Sequence, residues 1–240
     1  MIKVGCCGFP IAMKKYFEEF DVVEVQKTFY TPISVETARK WRKMSPDSFE
    51  FCVKALQIIT HPPSSPTYRK SKLKVKDGGF FKPIKEVFEA WQLTKSVADA
   101  LRAKIIVFQT PKSFKECEAN IRNMEEFFTS IERYKFVWEA RGWSERSIKE
   151  VCKKLDLIHC VDPFVARPVY GDLNYFRLHG SHEKMYKHKY TQDELKWLKD
   201  LCKSYEKQGK DSYVLFNNIY MREDALRFLE ILQGLSSNSV

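Results

Sequence analysis

Eight short apolar runs recur along the chain: Ile2–Gly5, Val22–Gln26, Phe49–Lys54, Ile105–Gln109, Phe136–Glu139, Leu157–Val161, Tyr175–His179 and Tyr213–Asn217. Each closes in a turn, and most are followed by a helical pattern. Short runs rich in Val, Ile, Phe and Tyr suit strands buried on both faces, which is what a parallel sheet requires. Between them, apolar residues recur at helical spacing. Val87, Trp91, Thr94, Ala98 and Leu101 form one stripe; Ile121, Met124, Phe128 and Ile131 form another; Ala225, Phe228, Leu229 and Leu232 form a third. Thr191 with Glu194 reads as a capping box opening a helix that carries Leu195, Leu198 and Cys202 and stops near Gly209.

Strict strand–helix alternation predicts an α/β fold with a parallel sheet. Eight units in 240 residues predict a closed (β/α)8 barrel of the TIM type, whose usual size is about 250 residues. An open doubly wound sheet is the rival, but Gly5-Cys6-Cys7-Gly8 matches neither the dinucleotide nor the P-loop pattern. The stretch from Asp162 to Asn174 is near the minimum for a parallel crossover and holds Pro163 and Pro168. The sixth helix is therefore expected to be missing or reduced to a turn. Residues 1–235 read as one domain and 236–240 as a frayed tail.

Composition narrows the class. Apolar residues make up 44% and charged residues 30% of the chain, and no apolar run approaches the roughly 20 residues of a membrane span. A strand pattern beginning at Ile2 leaves no room for a signal peptide, so a cytoplasmic protein is expected, with no membrane partner. The seven cysteines are scattered without a Cys-x-x-Cys pair and read as small buried hydrophobes. Charge dense in Lys and Glu suits a thermophile. A net charge of +10 attracts anions: nucleic acid, anionic surfaces or phosphorylated small molecules.

Candidate chemistry lies at the ends of the runs, because in this fold the C-terminal ends of strands line the functional rim. Strand two carries Glu24, Gln26 and Thr28 on one parity, then Tyr30. Lys54 ends strand three, Gln109 strand four, Glu139 and Arg141 strand five, and Asp162 strand six. Arg177 and His179 end strand seven, and Asn217 and Asn218 strand eight. Burying one such group unpaired costs about 2–7 kcal/mol, so a ring of them makes sense when its members satisfy each other or a ligand. Inward parity lets Lys54, Glu139, Arg141, Arg177 and His179 meet. Glu24, Glu139 and His179 are the candidate proton-transfer groups. Arg141 and Arg177 are candidate clamps for an anion, and Gln109, Asn217 and Asn218 candidate orienting groups. The bland reading is an ion-pair lattice plugging the barrel mouth. Glu24, Glu139, Asp162 and His179 include the donor types of an oxygen-rich metal site, but dense ligand spacing is absent, so no metal ligand set is assigned and the cofactor is left unknown.

Two loops stand out. Thr60–Lys85 carries Arg69, Lys70, Lys72, Lys74 and Lys76, whose lysines alternate and would share one face of an extended chain. It reads either as a basic lid over an anionic ligand or as a solvated charge run. In Gly180–Tyr190, His182 and His188 are expected to face solvent.

At these residues the chain resembles the YecE-like family, catalogued as domain of unknown function 72. The matching pieces include Val23-Glu24-Val25 through Thr28-Phe29-Tyr30, Phe51-Cys52-Val53-Lys54-Ala55 and Ile59-Thr60-His61. They continue through Val107-Phe108-Gln109-Thr110-Pro111 and Trp138-Glu139-Ala140-Arg141. The last are Arg177-Leu178-His179-Gly180 and Phe216-Asn217-Asn218. The resemblance implies the same barrel and a pocket formed by these motifs, which adds His61 to the substrate-binding candidates Gln26, Tyr30, Lys54, Gln109, Arg141, Asp162, Arg177, Asn217 and Asn218. It implies no reaction. Gln26-Lys27 and Gly142 depart from the family's usual Asn-Ser and His at those positions. The resulting expectation is an enzyme acting by acid/base chemistry on a small anionic or polyhydroxylated substrate. A nucleic-acid-binding or metal-dependent nucleic-acid-processing protein and a non-catalytic ligand-binding module are the alternatives.

Overall fold

The structure, a computed structural model, describes residues 1–71, 73–181 and 184–234. Its strands are β1 (Ile2–Cys7), β2 (Val22–Val25), β3 (Glu50–Lys54), β4 (Ile105–Gln109), β5 (Lys135–Glu139), β6 (Leu157–Val161), β7 (Leu173–Leu178) and β8 (Asp211–Phe216). They form one closed barrel in chain order. The ladders are parallel, with Gly5 opposite Leu215 where β1 meets β8 and Gln109 opposite Glu139 where β4 meets β5. This is the closed TIM-type barrel that the alternation predicts.

The helices are α1 (Met13–Glu19), α2 (Lys27–Tyr30), α3 (Val35–Met44), α4 (Lys85–Leu101), α5 (Glu118–Thr129), α6 (Glu145–Leu155), α7 (Gln192–Lys207) and α8 (Met221–Leu232). Side-chain caps set several starts: Ser34 and Ser144 accept from backbone N–H groups three residues on, and Thr191 with Glu194 forms the full capping box. Residues 162–172, all described, hold turns and bends and no helix. Pro168 would fall inside any helix begun after β6, where it removes a backbone donor and turns Arg167 away from the helical region. The tail 236–240 and the side chains of Lys72 and His182 lie outside the described residues.

The chain divides into two compact units: one of Met1–Glu24, Cys160–Pro168 and Asp172–Val240, the other of Val25–His159 and Val169–Gly171. In the first, a Cβ on Gly5 would lie 2.0 Å from the Val22 carbonyl oxygen, so glycine alone lets β1 close on β2 there. The Tyr16 hydroxyl spans the same point, accepting from the Cys6 N–H at 2.7 Å and donating to the Val22 carbonyl at 2.9 Å. Leu195, Leu198 and Cys202 of α7 and Ala225 and Phe228 of α8 are buried in this unit, as their spacing predicts.

The second unit has an aromatic core. Phe81 is fully buried, its ring 5.3–5.7 Å from those of Phe108, Phe114, Phe127 and Phe128. This anchors the far end of the long loop after β3, whose backbone is also pinned by bonds from Gly79 to Ile58, Phe80 to Thr60 and Phe81 to Ile59. Gly79 is required: a Cβ there would come within 2.4 Å of the Pro62 nitrogen. Pro66–Lys70 forms a 3-10 turn, so Lys70 does not belong to the extended alternating run that the sequence suggests. Arg69, Lys70, Lys74 and Lys76 are exposed.

Six of the seven cysteines are buried and all are free thiols. Burial pushes Cys152 and Cys202 up to about 12, which leaves them protonated and inert at neutral pH. Among the described residues, no helix is long and apolar enough to cross a membrane.

Candidate functional site

In the second unit, four of the expected side chains from three neighbouring strands form one hydrogen-bonded chain. The Lys54 ammonium donates to Gln109 Oε1 at 2.7 Å, and Gln109 Nε2 donates to Glu139 Oε1 at 2.6 Å. Arg141, two residues past the end of β5, donates to the same Oε1 from Nε at 2.9 Å and from Nη2 at 2.8 Å. Strand register produces this order. The Cα atoms of Gln109 and Glu139 are partners, and Lys54 pairs with Val107 one strand over. The Gln109 amide is thus oriented by its neighbours, acceptor toward the cation and donor toward the carboxylate.

Lys54 is 4% exposed, and its ammonium stands 4.1 Å over the Phe29 ring, a cation–π contact worth about 2 kcal/mol when desolvated. Thr28 ties the ends of β2 and β3 together, its hydroxyl lying 2.7 Å from the Val25 carbonyl and 2.6 Å from that of Lys54. The charged side chains described in this chain of bonds are therefore Lys54, Arg141 and Glu139.

His61 joins the cluster through the other edge of Phe29, at 4.9 Å between ring centroids, and shares a 2.8 Å hydrogen bond with Thr60. Burial, and then the charges of Lys54 and Arg141, push its pKa down to about 3, against an opposing pull from Glu139. At neutral pH it is an uncharged imidazole, a polar contact rather than a proton acceptor. Tyr68 of the long loop donates to the His61 carbonyl at 3.1 Å. Tyr30 lies edge-on to Phe29, with the Lys70 ammonium 5.9 Å from its ring. Gln26 caps α2 and is half-buried.

The first unit gathers a different set. Glu24 and Arg177 are 0% and 1% exposed, with Arg177 Nε 3.0 Å from Glu24 Oε2. Tyr175 donates to that same oxygen at 3.0 Å. Asp162 Oδ2 accepts from the backbone N–H of His179 at 2.9 Å and lies 3.8 Å from its Nδ1, while Oδ1 accepts from the N–H of Phe164 at 3.0 Å. Asn217 uses its N–H to bind the Leu178 carbonyl. Asn218 is buried and serves the loop: its Nδ2 donates to the His188 carbonyl and to Asp224 Oδ2, both at 2.7 Å.

One expectation needs correction. His188 does not face solvent. It is half-buried and bonded through Nε2 to Glu194 at 2.9 Å, because the capping box fixes that carboxylate beside it. Among the described residues no three His, Cys, Asp or Glu side chains are grouped as for a metal ion. Glu24 Oε2 is met by Arg177 and Tyr175, Glu139 Oε1 by Gln109 and Arg141, and the Asp162 oxygens by backbone N–H groups, while Glu24 Oε1 has no hydrogen-bond partner among the described residues.

Two buried polar residues escape a reading confined to strand ends. His159 sits within β6, where its Nδ1 accepts from the Val169 N–H at 3.3 Å, and burial pushes its pKa down to about 4. A polar residue inside an apolar run was the available signal. Gln57 is fully buried in the turn after β3, and neither its Oε1 nor its Nε2 has a hydrogen-bond partner among the described residues. Since an unsatisfied buried amide costs about 1–3 kcal/mol, Gln57→Leu is expected to leave stability unchanged or raise it. A drop above about 1 kcal/mol in urea denaturation would show that the amide is satisfied in solution.

The family described as "Protein of unknown function DUF72" matches residues 10–239. The UPF0759 protein YunF of Bacillus subtilis (strain 168) is 24% identical over 241 residues, covering 86% of this chain and 80% of the relative. A crystal structure of a DUF72 family protein from Enterococcus faecalis V583 aligns with a TM-score of 0.77 at 19% identity, over 97% of this chain and 98% of that one. A DUF72 family protein from Thermotoga maritima MSB8 aligns with a TM-score of 0.73 at 23% identity, over 97% and 99%. At these identities the solved structures speak for the fold.

Proposed function

Since the chain belongs to DUF72, a family of proteins of unknown function, we propose from its own geometry that it is an enzyme performing acid/base chemistry on a small anionic substrate. The site is the cluster at the C-terminal ends of β3, β4 and β5. One observation carries the reading: a single carboxylate oxygen, Glu139 Oε1, receives Gln109 and a guanidinium, with a buried ammonium one bond further along. Lys54 and Arg141 place two cations along one hydrogen-bonded chain with the Glu139 carboxylate, at the face where TIM barrels conduct chemistry. Arg141, 36% exposed at its side chain, meets the anionic group from solvent with planar N–H donors. Lys54 holds the anion deeper by its charge. Glu139 moves the proton, and neutral His61 orients a polar group without competing for it. In the other unit, Asp162 fixes the His179 backbone N–H and lies 3.8 Å from its ring, and Glu24 with Arg177 supports the strand ends from within.

The test needs no knowledge of the natural substrate. A panel of 2-keto acids, 2-hydroxy acids and sugar phosphates is incubated with the protein in deuterated water, and deuterium uptake is read by NMR. At least one is expected to exchange, and Glu139→Gln to slow that exchange at least about a hundredfold while leaving the fold intact. Removing the negative charge should also tighten the binding of inorganic phosphate, measured by calorimetry, and Lys54→Met should weaken it. Exchange that survives Glu139→Gln, or phosphate affinity indifferent to both substitutions, sinks the assignment.

A further inference from the structure

A groove of about 970 Å³ runs between the C-terminal half of α3 and the last turn of α4, within the second unit. It lies at the start of β3, whereas Lys54 and its partners lie at the strand's end. Arg39, Arg42, Lys43 and Arg102 line it, together with Asp47 and Asp99. Asp99 is already engaged, accepting from Lys95 at 2.8 Å and from the Tyr134 hydroxyl. Asp47 stands 4.0 Å from Arg102 and is fully exposed. Four cations thus face one carboxylate that has only a distant partner.

Two of these cations are placed with unusual care for surface residues. Arg42 donates from Nη1 to the Phe49 carbonyl at 2.7 Å, and from Nη2 to the Pro46 carbonyl. Its guanidinium also rests 5.3 Å from the Phe51 ring centroid. Burial works against its charge; Asp47 counteracts this, and the charge of Arg102 adds to it. The two guanidiniums therefore repel each other across the groove. Arg102 occupies the C-cap of α4 with φ 53° and ψ 35°, the left-handed conformation in which helices ordinarily carry glycine. An L-residue with a β-carbon is strained there, and Gly, Asn and Asp are the types that relieve it. The long cation is held in a backbone slot that disfavours it, beside other cations.

We propose that this groove is a second binding site, for a ligand carrying two or more consecutive phosphates. Guanidinium groups match phosphate oxygens with paired N–H donors, and a polyphosphate anion relieves the mutual repulsion of Arg42 and Arg102. The lining residues include no aromatic ring on which a base could stack, so the groove reads phosphate and not nucleobase. Free polyphosphate and a nucleic-acid backbone share that chemistry. The site stands apart from the strand-end cluster and does not depend on the reaction proposed there.

The full-length chain is titrated calorimetrically with orthophosphate, pyrophosphate, tripolyphosphate and a 12-nucleotide single-stranded DNA. Tripolyphosphate is expected to bind more tightly than orthophosphate. Arg102→Gly should cut its affinity at least about tenfold while raising the melting temperature by about 2–4 °C, because glycine relieves the left-handed cap. Gain of stability with loss of binding separates a ligand-binding role from a structural one. Arg39→Ala combined with Lys43→Ala should weaken binding without touching the bonds that hold Arg42. Lys54→Met, which weakens phosphate binding at the strand-end cluster, should leave the Arg102-dependent component of tripolyphosphate binding unchanged. If the DNA binds and the short polyphosphates do not, with the same sensitivity to Arg102→Gly, the ligand is a nucleic-acid backbone and the site stands. Undiminished binding in Arg102→Gly overturns the proposal, as does failure of the wild-type protein to bind any multi-phosphate probe.

Discussion

Between pH 6 and pH 4.5 the protein is expected to lose about 3–4 kcal/mol of folding stability, taking up close to two protons as it unfolds. The cause is the pair of buried imidazoles, His61 and His159. Burial is the largest influence on both, and it holds them down at about 3 and about 4 in the folded state. In the unfolded chain each returns to about 6.5. Above that value both rings are neutral folded or unfolded, and stability is complete. Below it the unfolded chain binds protons that the folded chain refuses, at about 1.4 kcal/mol per proton for each pH unit. The loss continues until the folded values are reached. Asp224, raised by burial, pulls weakly the other way, since a folded carboxyl that accepts its proton early gains stability as pH falls. Carboxylates held low by hydrogen bonds, such as Glu19 and Glu116, work in the same direction as the histidines, since the unfolded chain takes up their protons first as pH falls. Urea denaturation at pH 7, 6, 5.25 and 4.5 measures the slope, and replacing either histidine by glutamine should remove about one proton from it. A flat profile across that range would mean both rings are protonated in the native protein. The neutral role given to His61 beside Lys54 would then be wrong.

The architecture was legible because the signals that make it are periodic. Apolar runs such as Ile105–Gln109 and stripes such as Val87, Trp91 and Ala98 report burial directly, and both are buried as read. The missing sixth helix followed from two prolines in too short a segment. The strand-end rule likewise located Lys54, Gln109, Glu139 and Arg141, because a polar residue closing an apolar run is conspicuous. Their wiring was harder to see. Inward parity suggested that odd strands share a layer, whereas the side chain joining Lys54 to Glu139 comes from β4, as Gln109. Long side chains at a strand's last residue lean out of the pleat and reach the adjacent strand, which parity does not encode. His159 lay hidden because it sits in the middle of a strand, and Arg102 because a left-handed φ leaves no mark on an arginine. His188 was misjudged because a loop residue's burial depends on a partner, here Glu194, fixed by a cap.

Arg177→Met is expected to cost about 3–5 kcal/mol of stability, the largest effect of any single substitution considered. Arg177 and Glu24 lie in the same compact unit, both essentially without solvent exposure, with Nε and Oε2 3.0 Å apart. Taking two charges out of water is costly, and their mutual attraction offsets that cost only while both are present. Removing the guanidinium leaves the buried Glu24 carboxylate without its ion-pair partner, with the Tyr175 hydroxyl as its described support. The same reasoning makes the double substitution Glu24→Met with Arg177→Met milder than Arg177→Met alone, since apolar groups of similar volume can replace a buried pair at little net cost. Urea denaturation of the two single variants, the double variant and the parent forms a complete cycle, and the coupling energy is expected to exceed about 2 kcal/mol. The result also bears on function. If Arg177→Met destabilises strongly and the double variant recovers, Arg177 belongs to the framework, and anion recognition is left to Arg141 and Lys54. If Arg177→Met costs less than about 1 kcal/mol, the guanidinium is not committed to Glu24 in solution. Its assignment as a clamp for the substrate then gains over its assignment as a structural partner.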